Sequence, residues 1–336
     1  MKKINLLDCT LRDGGYYNNW NFSKSFINDY LQTMKVSGIK NIELGFISLK
    51  RKKNMGLCYN LNGKSINALK IPKNLDIGCM INASDMISCN LKKKKLTHLV
   101  KYKNNLLFSF IRIACHVNEI EKIFIYLDEI KKLKIKLIIN LMQISEYDDY
   151  QINRIVKKLA KKNVDVIYFA DSLGCMNTRD VANITRKIKK NFKKDVGFHA
   201  HNNNMNAHTN VFSAIKNGVE WIDSTICGFG RGAGNAKTEY LLNTNFFTQN
   251  NIDRNYAIKK LINKRFLKLK EKYGWGCNKY YKLSAKFKIH PTYIQEISKK
   301  KNISDKKFLE IINFLNKQNT KMYNKDLLNN IMSVNK

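Results

Sequence analysis

Two histidines stand one residue apart in the segment VGFHAH, residues 196–201. Alternate side chains of a β-strand point to the same face, so His199 and His201 would lie side by side. Imidazole is the commonest metal-binding side chain, and two on one face form part of a candidate site for a divalent cation. A hydrogen-bonded or solvated pair has the same spacing, so the choice depends on what other segments bring to this place.

A carboxylate near the start of the chain could complete such a site. The segment LLDCTLRDGG places Arg12 and Asp13 directly after the first apolar run. Asp13 with the two imidazoles would leave positions on the cation open for substrate, so the cation could act as a Lewis acid on a carbonyl oxygen. These mixed donors suit Mn²⁺, Mg²⁺ or Zn²⁺. Arg12 would donate to an oxyanion beside the cation, a combination that stabilises an enolate.

Eight short β-rich apolar runs recur along the chain, and segments with helical periodicity separate them. This alternation indicates an α/β protein with a parallel sheet, and eight units in about 250 residues predict a (β/α)₈ TIM barrel. An open sheet would carry a glycine-rich dinucleotide-binding turn after its first strand, and RDGGYY lacks that spacing. The predicted strands are residues 4–10, 39–46, 75–82, 107–115, 135–142, 164–171, 196–201 and 220–227.

Ionisable and polar residues occur where the strands of this barrel would end. The active site of a TIM barrel lies at the carboxyl ends of its strands. Because strands one and seven flank strand eight in a closed barrel, Asp13 could reach the histidines across the mouth. The other rim residues are Glu43 on strand two, Arg112 on strand four, Ser172 after strand six and Asn235 at the end of the loop GFGRGAGN.

The composition changes from residue 252 onward, where only helical periodicity is found. We therefore expect a barrel domain over 1–250 and a small helical C-terminal region over 251–336. In that region IHPTYIQEI predicts a helix that begins at a proline-assisted turn. The helical region should contact the barrel and could mediate oligomerisation.

The chain has 336 residues and a formal net charge of +35. Such a charge is typical of nucleic-acid-binding proteins. Here the lysines form short clusters along the whole chain, between apolar residues at helical spacing, which is typical of solvated helix faces. No helix-turn-helix, zinc-finger or RNP-like signature is found, so specific nucleic-acid binding is not expected.

A cytoplasmic protein without a membrane segment is expected, because no run approaches the roughly 18 apolar residues that a membrane helix needs. The eight cysteines are scattered without a C-x-x-C pair. They predict neither a zinc knuckle nor a disulfide framework.

Five segments, taken together, resemble the DRE-TIM metallolyase superfamily. Its pyruvate carboxyltransferase-like barrels include 4-hydroxy-2-oxovalerate aldolase, hydroxymethylglutaryl-CoA lyase, and the isopropylmalate and homocitrate synthases. The segments are LLDCTLRDGG, IELGF, ADSLG, GFHAHNN and GFGRGAGNAKTE, in the family's order over residues 4–245. The GFGRGAGN loop and the tail with YGWG and HPTYI are most similar to the 4-hydroxy-2-oxovalerate aldolase-like branch. The corresponding loop of the lyases carries a catalytic cysteine that is absent here.

The resemblance implies a metal-dependent carbon–carbon lyase, an aldolase that acts on a 2-oxo acid through a metal-bound pyruvate enolate. It implies that Asp13, His199 and His201 hold the cation, with Mn²⁺ preferred over Mg²⁺ or Zn²⁺. Arg12 would stabilise the enolate. In the bacterial aldolases of this branch the C-terminal region docks an aldehyde dehydrogenase, so that enzyme or a second copy of this chain is the implied partner.

The resemblance also assigns the remaining rim residues. Asn235 matches a fourth metal ligand of the lyase branch, and Ser172 would contact the substrate carboxylate. Glu43 and Arg112 would anchor the site.

Tyr16 departs from the family pattern. In hydroxy-oxovalerate aldolases a histidine taken to act in proton transfer stands three residues after the aspartate, and this chain has Tyr16 there. The reference pKa of tyrosine, near 10, is far from a neutral optimum. Tyr16, Tyr17 and a metal-bound water are therefore open candidates for the acid/base group, and the substrate can differ from the family's best-known one.

Two other functions stay open. A Claisen-type synthase would condense an acyl-CoA with a 2-oxo acid, although the synthases usually carry a longer C-terminal regulatory region. A catalytically inactive basic scaffold would use the barrel as a binding module.

Three further polar residues have structural interpretations. Asp8 is expected to be a hydrogen-bonded part of the scaffold, as buried carboxylates usually are. His208 is expected to belong to the helix after strand seven. His290 would either help to close the site from the tail or cap a turn.

Overall fold

Eight parallel strands close into a barrel in the computed structural model, which describes residues 3–50, 52–89, 93–103, 105–247, 252–300 and 303–334. Each strand pairs with its neighbours in the chain, and the first pairs with the last. The predicted TIM barrel is therefore confirmed. The strands are β1 (Asn5–Asp8), β2 (Asn41–Phe46), β3 (Asp76–Asn82), β4 (Phe110–Cys115), β5 (Lys136–Leu141), β6 (Val166–Ala170), β7 (Asp195–His199) and β8 (Trp221–Ser224).

Helices surround the barrel and continue into the tail. None of the described helices is both long and apolar enough to cross a membrane. The helices are α1 (Thr10–Asn18), α2 (Lys24–Val36), α3 (Gly63–Asn67), α4 (Ala83–Ser88), α5 (Lys93–Val100), α6 (Ile120–Lys132), α7 (Asp149–Ala160), α8 (Thr178–Asn191), α9 (Ala207–Lys216), α10 (Thr238–Leu241), α11 (Ile252–Leu261), α12 (Leu267–Tyr273), α13 (Lys279–Lys286), α14 (Pro291–Ser298), α15 (Asp305–Asn316) and α16 (Lys325–Val334).

Side chains fill the inside of the barrel below its carboxyl end. The strands are buried along nearly their whole length, as expected of a parallel sheet covered by helices. Phe110, Val166 and Trp221 stand at the starts of their strands and belong to a buried cluster inside the barrel. The rest of that cluster consists of Leu7, Cys9, Ile138 and Tyr168. Reactants can therefore reach the rim residues only from the carboxyl end.

The segment after β1 is helical, although it contains two consecutive glycines, which are poor helix formers. α1 begins at Thr10 and ends before Asn19, which adopts a left-handed conformation with φ of 55°. The two glycines lie within the helix because there is no room for side chains there. A Cβ on Gly14 would overlap the ring of Phe229, and one on Gly15 would overlap the ring of Trp20. Close packing of α1 over the barrel mouth thus requires glycine.

The tail consists of two parts that pack differently. The predicted boundary near Asn250 falls in residues 248–251, outside the described residues. α11 and α12 adjoin the barrel, since Ile258 and Leu261 of α11 belong to the main hydrophobic core and Leu269 of α12 packs against it. Helices α13 to α16 form a second core, which also includes Ala233 from the loop after β8. This second part therefore lies over the carboxyl end of the barrel.

Asp8 is a structural residue, in agreement with its predicted role. It is fully buried at the end of β1. Its carboxylate accepts hydrogen bonds from Tyr30 Oη at 2.6 Å, from Thr238 Oγ1 at 2.6 Å, and from both the backbone N–H and the hydroxyl of Thr10. These bonds join β1, α1, α2 and α10 and so hold the base of the rim in place.

Replacing Asp8 with alanine should lower the free energy of unfolding by roughly 3 kcal/mol or more, because three buried hydroxyl groups lose their acceptor. Tyr30→Phe removes only one donor and should cost roughly 1 kcal/mol. Urea denaturation followed by circular dichroism measures both values. Equal losses for the two variants would show that the carboxylate does not organise this cluster.

Candidate active site

Asp13, His199 and His201 meet at the carboxyl end of the barrel. The Nε2 atoms of His199 and His201 lie 3.5 and 3.8 Å from Asp13 Oδ2. All three side chains are buried, and one donor atom from each lies within 4.8 Å of the others. β7 ends at His199 rather than at His201, but the two rings remain adjacent, with centroids 4.8 Å apart. One cation could contact all three residues.

Hydrogen bonds on the far side of each imidazole determine which nitrogen faces the cluster. His201 Nδ1 lies 3.0 Å from the Asp171 carbonyl oxygen, which can only accept, so Nδ1 carries the proton and Nε2 presents a lone pair. His199 Nδ1 lies 2.8 Å from Asp223 Oδ2, which leaves its Nε2 facing Asp13. Carbonyl and carboxylate partners of this kind are usual for metal-binding histidines.

Three buried atoms of the cluster, Asp13 Oδ2, His201 Nε2 and Asn235 Oδ1, have no hydrogen-bond partner in the described part of the chain. The Asn235 amide nitrogen lies 3.2 Å from both the Ala200 carbonyl oxygen and His199 Nε2. A Cβ on Gly230 would overlap Asn235 Oδ1 and lie 2.9 Å from Asp13 Oδ2, so glycine keeps this space open. Buried acceptors without donors are costly unless a cation binds them. The residues present therefore fit a divalent cation with nitrogen and oxygen ligands.

A second group of donor atoms, from Cys9, His199 and Asp223, also lies close together. It fits a metal less well. Both Asp223 carboxylate oxygens accept hydrogen bonds from Arg112, at 2.6 and 2.8 Å. Burial and the charge of Asp223 hold the pKa of the Cys9 thiol well above its ordinary value, which disfavours the thiolate that binds metals.

Two arginines and three carboxylates form a buried ionic network beneath the cluster. Arg12 donates to Glu43 Oε2 at 2.6 Å and to Asp13 Oδ1 at 2.7 Å. Glu43 Oε1 lies 3.2 Å from Arg112 Nε, and Arg112 pairs with Asp223. The network thus carries one more negative than positive charge, which favours a cation at its open end.

The protonation states of Asp13 and His201 suit metal binding. Burial raises the pKa of Asp13, but Arg12 and His199 outweigh it and hold this pKa well below its ordinary value. Burial, with the positive charge of Arg231, holds the pKa of His201 well below its ordinary value. An ionised carboxylate and a neutral imidazole are the forms that bind metal ions. Burial lowers the pKa of His199, but Asp13 and Asp223 outweigh it and raise this pKa, so a cation would replace a proton on His199.

Ser172 lies at the rim, as expected, but its hydroxyl is engaged. Its Oγ accepts a hydrogen bond from the Gln143 backbone N–H at 3.0 Å. Its carbonyl oxygen accepts one from Arg231 Nη2, also at 3.0 Å. The hydroxyl hydrogen is left to donate, so the proposed contact with a substrate carboxylate would use Ser172 as the donor.

Tyr16 and Tyr17 point to different surroundings. Tyr16 is 37% exposed, and its ring packs edge-on against Trp20 with centroids 4.7 Å apart. The Tyr17 hydroxyl donates to the Gly232 carbonyl oxygen at 2.6 Å, and its ring stacks on Phe229. Burial and neighbouring Tyr281 raise the pKa of Tyr17. Of the two, Tyr16 is the more exposed, and its ring centroid lies 5.9 Å from the guanidinium carbon of the rim residue Arg231.

The two remaining histidines of interest differ in their contacts. His208 lies in α9 and accepts a hydrogen bond from the Lys237 backbone N–H at 3.0 Å, a structural contact. His290 is the N-cap of α14, and its Nε2 lies 2.6 Å from Arg231 Nη1. It therefore both caps a helix and reaches the rim from the tail.

Sequence reasoning missed Asp223 and Arg231. Asp223 stands within the apolar run of β8, and a carboxylate inside a buried strand is itself a sign of a paired charge. Arg231 lies in the GFGRGAGN loop, but no sequence spacing connects it with His290, 59 residues later.

The chain matches one protein-family model and is similar in sequence to several enzymes. A family model described as HMGL-like matches residues 3–265. An oxaloacetate decarboxylase from Mycobacterium tuberculosis is 23% identical over 239 residues, which cover 70% of this chain and 68% of the relative. A 4-hydroxy-2-oxovalerate aldolase from Carboxydothermus hydrogenoformans is 27% identical over 248 residues, covering 72% of this chain and 70% of the relative.

A solved structure is also similar over most of the chain. It is the N-terminal domain of a candidate aldolase from Bacteroides vulgatus, with a TM-score of 0.78 and 29% sequence identity. The match covers 92% of this chain and 100% of the other. Because 92% of this chain is covered, the match extends beyond the barrel into the C-terminal region.

Asp13→Ala and His201→Ala should each weaken Mn²⁺ binding by more than roughly 100-fold. Removing a residue that only hydrogen-bonds a ligand costs up to roughly 100-fold, and loss of a ligand itself should cost more. His208→Ala is the matched control, because His208 contacts only the outer scaffold, and it should keep the wild-type affinity. Isothermal titration of metal-stripped protein measures all three, with circular dichroism to verify folding. Unchanged affinity in the two ligand variants would exclude this metal site.

Proposed function

Because the chain belongs to the HMGL-like family, we propose that it is a divalent-metal-dependent aldolase acting on a 2-oxo acid. The lyase class predicted from the sequence is confirmed by relatives named as an aldolase and a decarboxylase. The reaction we propose cleaves the C3–C4 bond of a 4-hydroxy-2-oxo acid, giving pyruvate and an aldehyde, or forms that bond in reverse. The supporting observation is the cluster of unpartnered acceptors on Asp13, His201 and Asn235, with Arg12 beside it.

The rim residues have separate roles in the proposed reaction, and four of them would bind the cation. Asp13, His199 and His201 would hold the cation, with Asn235 Oδ1 as a fourth donor. When bound, a divalent cation supplies Lewis-acid polarisation of the keto oxygen. These donors suit Mn²⁺, Mg²⁺ or Zn²⁺, and we propose Mn²⁺ because the family resemblance favours it.

Arg12 would stabilise the negative charge that develops on the enolate oxygen. Its guanidinium is fixed by Glu43 at 2.6 Å and Asp13 at 2.7 Å and is almost completely buried. Donors held in place before the reaction need no reorganisation as charge develops, and burial strengthens their effect. Arg112 contributes indirectly, since it pairs with Asp223 and Glu43 and so orients both His199 and Arg12.

Cleavage requires the proton of the 4-hydroxyl group to leave, and we propose that Tyr16 relays it. Tyr16 is at the mouth, whereas the Tyr17 hydroxyl is committed to Gly232. Burial raises the pKa of Tyr16, although the positive charge of Arg231 opposes that effect. Tyr16 therefore stays protonated near neutral pH, and it would accept the substrate proton while passing its own to solvent.

Two further functions are distinguished by simple assays. A Claisen-type synthase would release free thiol from an acyl-CoA in the presence of a 2-oxo acid. An inactive basic scaffold would show no exchange of substrate protons, and its metal content would be the same in wild type and in the His199→Ala, His201→Ala double variant. We also propose the C-terminal region as the docking face for an aldehyde dehydrogenase or for a second copy of the chain; its described contacts support a role in closing the mouth.

The enolate proposal predicts that Mn²⁺-loaded protein exchanges the methyl protons of pyruvate with solvent deuterium, which proton NMR detects. Removing the metal with EDTA should abolish the exchange. Arg12→Lys keeps the positive charge but loses the planar set of N–H donors of the guanidinium group. Because fewer donors would then stabilise the enolate oxygen, the exchange should slow by roughly 100-fold. Absence of exchange in metal-loaded wild type would exclude the enolate mechanism.

Tyr16→Phe should lower the rate of 4-hydroxy-2-oxo acid cleavage by roughly 100-fold or more, the usual contribution of a proton-transfer group. Mn²⁺ affinity should not change, since the Tyr16 hydroxyl is not a ligand. Tyr17→Phe, which removes a hydroxyl directed at the backbone, should have a much smaller effect on the rate. Similar rates for wild type and Tyr16→Phe would assign the proton transfer to another group.

A further inference from the structure

We infer that Arg231, held in place by His290 of the tail, binds a second carboxylate at the far end of the substrate. This inference rests on the proposed function, since it names the substrate class of the same site. It makes the preferred substrates dicarboxylic 2-oxo acids, and it makes the tail part of the specificity pocket.

Arg231 differs from the other two arginines of the mouth in its partners. Its Nη1 lies 2.6 Å from His290 Nε2, and its Nη2 donates to the Ser172 carbonyl oxygen at 3.0 Å. Its guanidinium carbon lies 5.9 Å from the ring centroid of Tyr16. These partners are all uncharged, because burial and Arg231 itself hold the pKa of His290 well below its ordinary value.

Arg12 and Arg112, in contrast, are each paired with carboxylates. No carboxylate oxygen lies within 4.0 Å of Arg231 among the residues that the structure describes. A half-buried guanidinium has lost part of its hydration and gains from an anionic partner. Arg231 uses two of its five N–H donors on protein groups, which leaves donors for a carboxylate.

The position of Arg231 determines which part of a substrate it would meet. The inside of the barrel is filled by residues that include Phe110, Tyr168 and Trp221, so a substrate bound at the cation must extend toward the mouth. Arg231 is on that outward side, between Ser172 and the tail. Arg12 would serve the enolate oxygen, and the Ser172 hydroxyl would serve the C1 carboxylate. Arg231 meets Ser172 at its backbone carbonyl and extends from there to His290 of the tail, so we assign its charge to the opposite end of the substrate, at C5 of a 4-hydroxy-2-oxo acid.

The tail fixes the geometry of this subsite. His290 caps α14, and Gln295 on the same helix accepts a hydrogen bond from the Gly232 backbone N–H at 3.0 Å. The Gln295 amide nitrogen donates to the Tyr16 carbonyl oxygen, also at 3.0 Å. One helix thus connects the loop that carries Arg231 with the helix that carries Tyr16. His290 is a positioning residue, since it acts through Arg231.

Two uncleavable probes test the subsite directly, because they differ only in the group at C5. 2-Oxoglutarate carries a carboxylate there, and 2-oxovalerate carries a methyl group. Isothermal titration of Mn²⁺-loaded wild type should show tighter binding of 2-oxoglutarate by roughly tenfold or more. In Arg231→Gln the ratio of the two dissociation constants should fall toward one. Arg186→Gln, on the outer face of α8, is the matched control for loss of a charge and should keep the wild-type ratio.

Equal or undetectable binding of both probes by wild type would overturn the inference, as would an equal loss for both probes in Arg231→Gln. These outcomes do not depend on catalysis, so they are distinguishable from failure of the aldolase proposal, which the pyruvate exchange experiment tests. His290→Ala should reduce the ratio, and His290→Gln, which restores an acceptor for Arg231, should recover part of it. If the alanine and glutamine variants behave alike, His290 does not position Arg231.

Discussion

The contact between Arg12 and Asp13 is the interaction on which the rest of the site depends. Arg12 occupies one oxygen of Asp13 and leaves the other facing two imidazoles. The cost of burying the arginine is offset by Glu43, and Glu43 is shared with Arg112. Arg112 fixes Asp223, which in turn sets the orientation of His199. A single ionic network therefore sets the geometry of Asp13 and His199, and the Asp171 carbonyl oxygen orients His201 beside them.

The sequence was sufficient to predict the barrel, because burial on both faces gives a parallel strand a recognisable apolar run. It was also sufficient to bring Asp13 near His199 and His201, since closure of a barrel places strands one, seven and eight together. It could not predict that the residues after β1 form a helix. Two consecutive glycines are more typical of a turn than of a helix. Glycine is needed at these positions because the rings of Phe229 and Trp20 pack directly against α1, a tertiary contact that the local sequence does not reveal.

The contacts of Asp223 and Arg231 were beyond sequence reasoning for a similar reason. Asp223 reads as one polar residue in a strand, and only the closed barrel shows that it faces both Arg112 and His199. Arg231 was visible in a loop motif, but its partner His290 comes from a region without a recognisable link to the barrel. Contacts between distant segments depend on packing, which local periodicity does not encode.

The central claim is that one divalent cation binds between Asp13, His199 and His201, and anomalous diffraction from crystals grown with Mn²⁺ tests it most directly. We expect a single strong anomalous peak within coordination distance of Asp13 Oδ2 and both Nε2 atoms. A peak on the other side of His199, beside Cys9 and Asp223, or no peak in this region at saturating Mn²⁺, would contradict the claim.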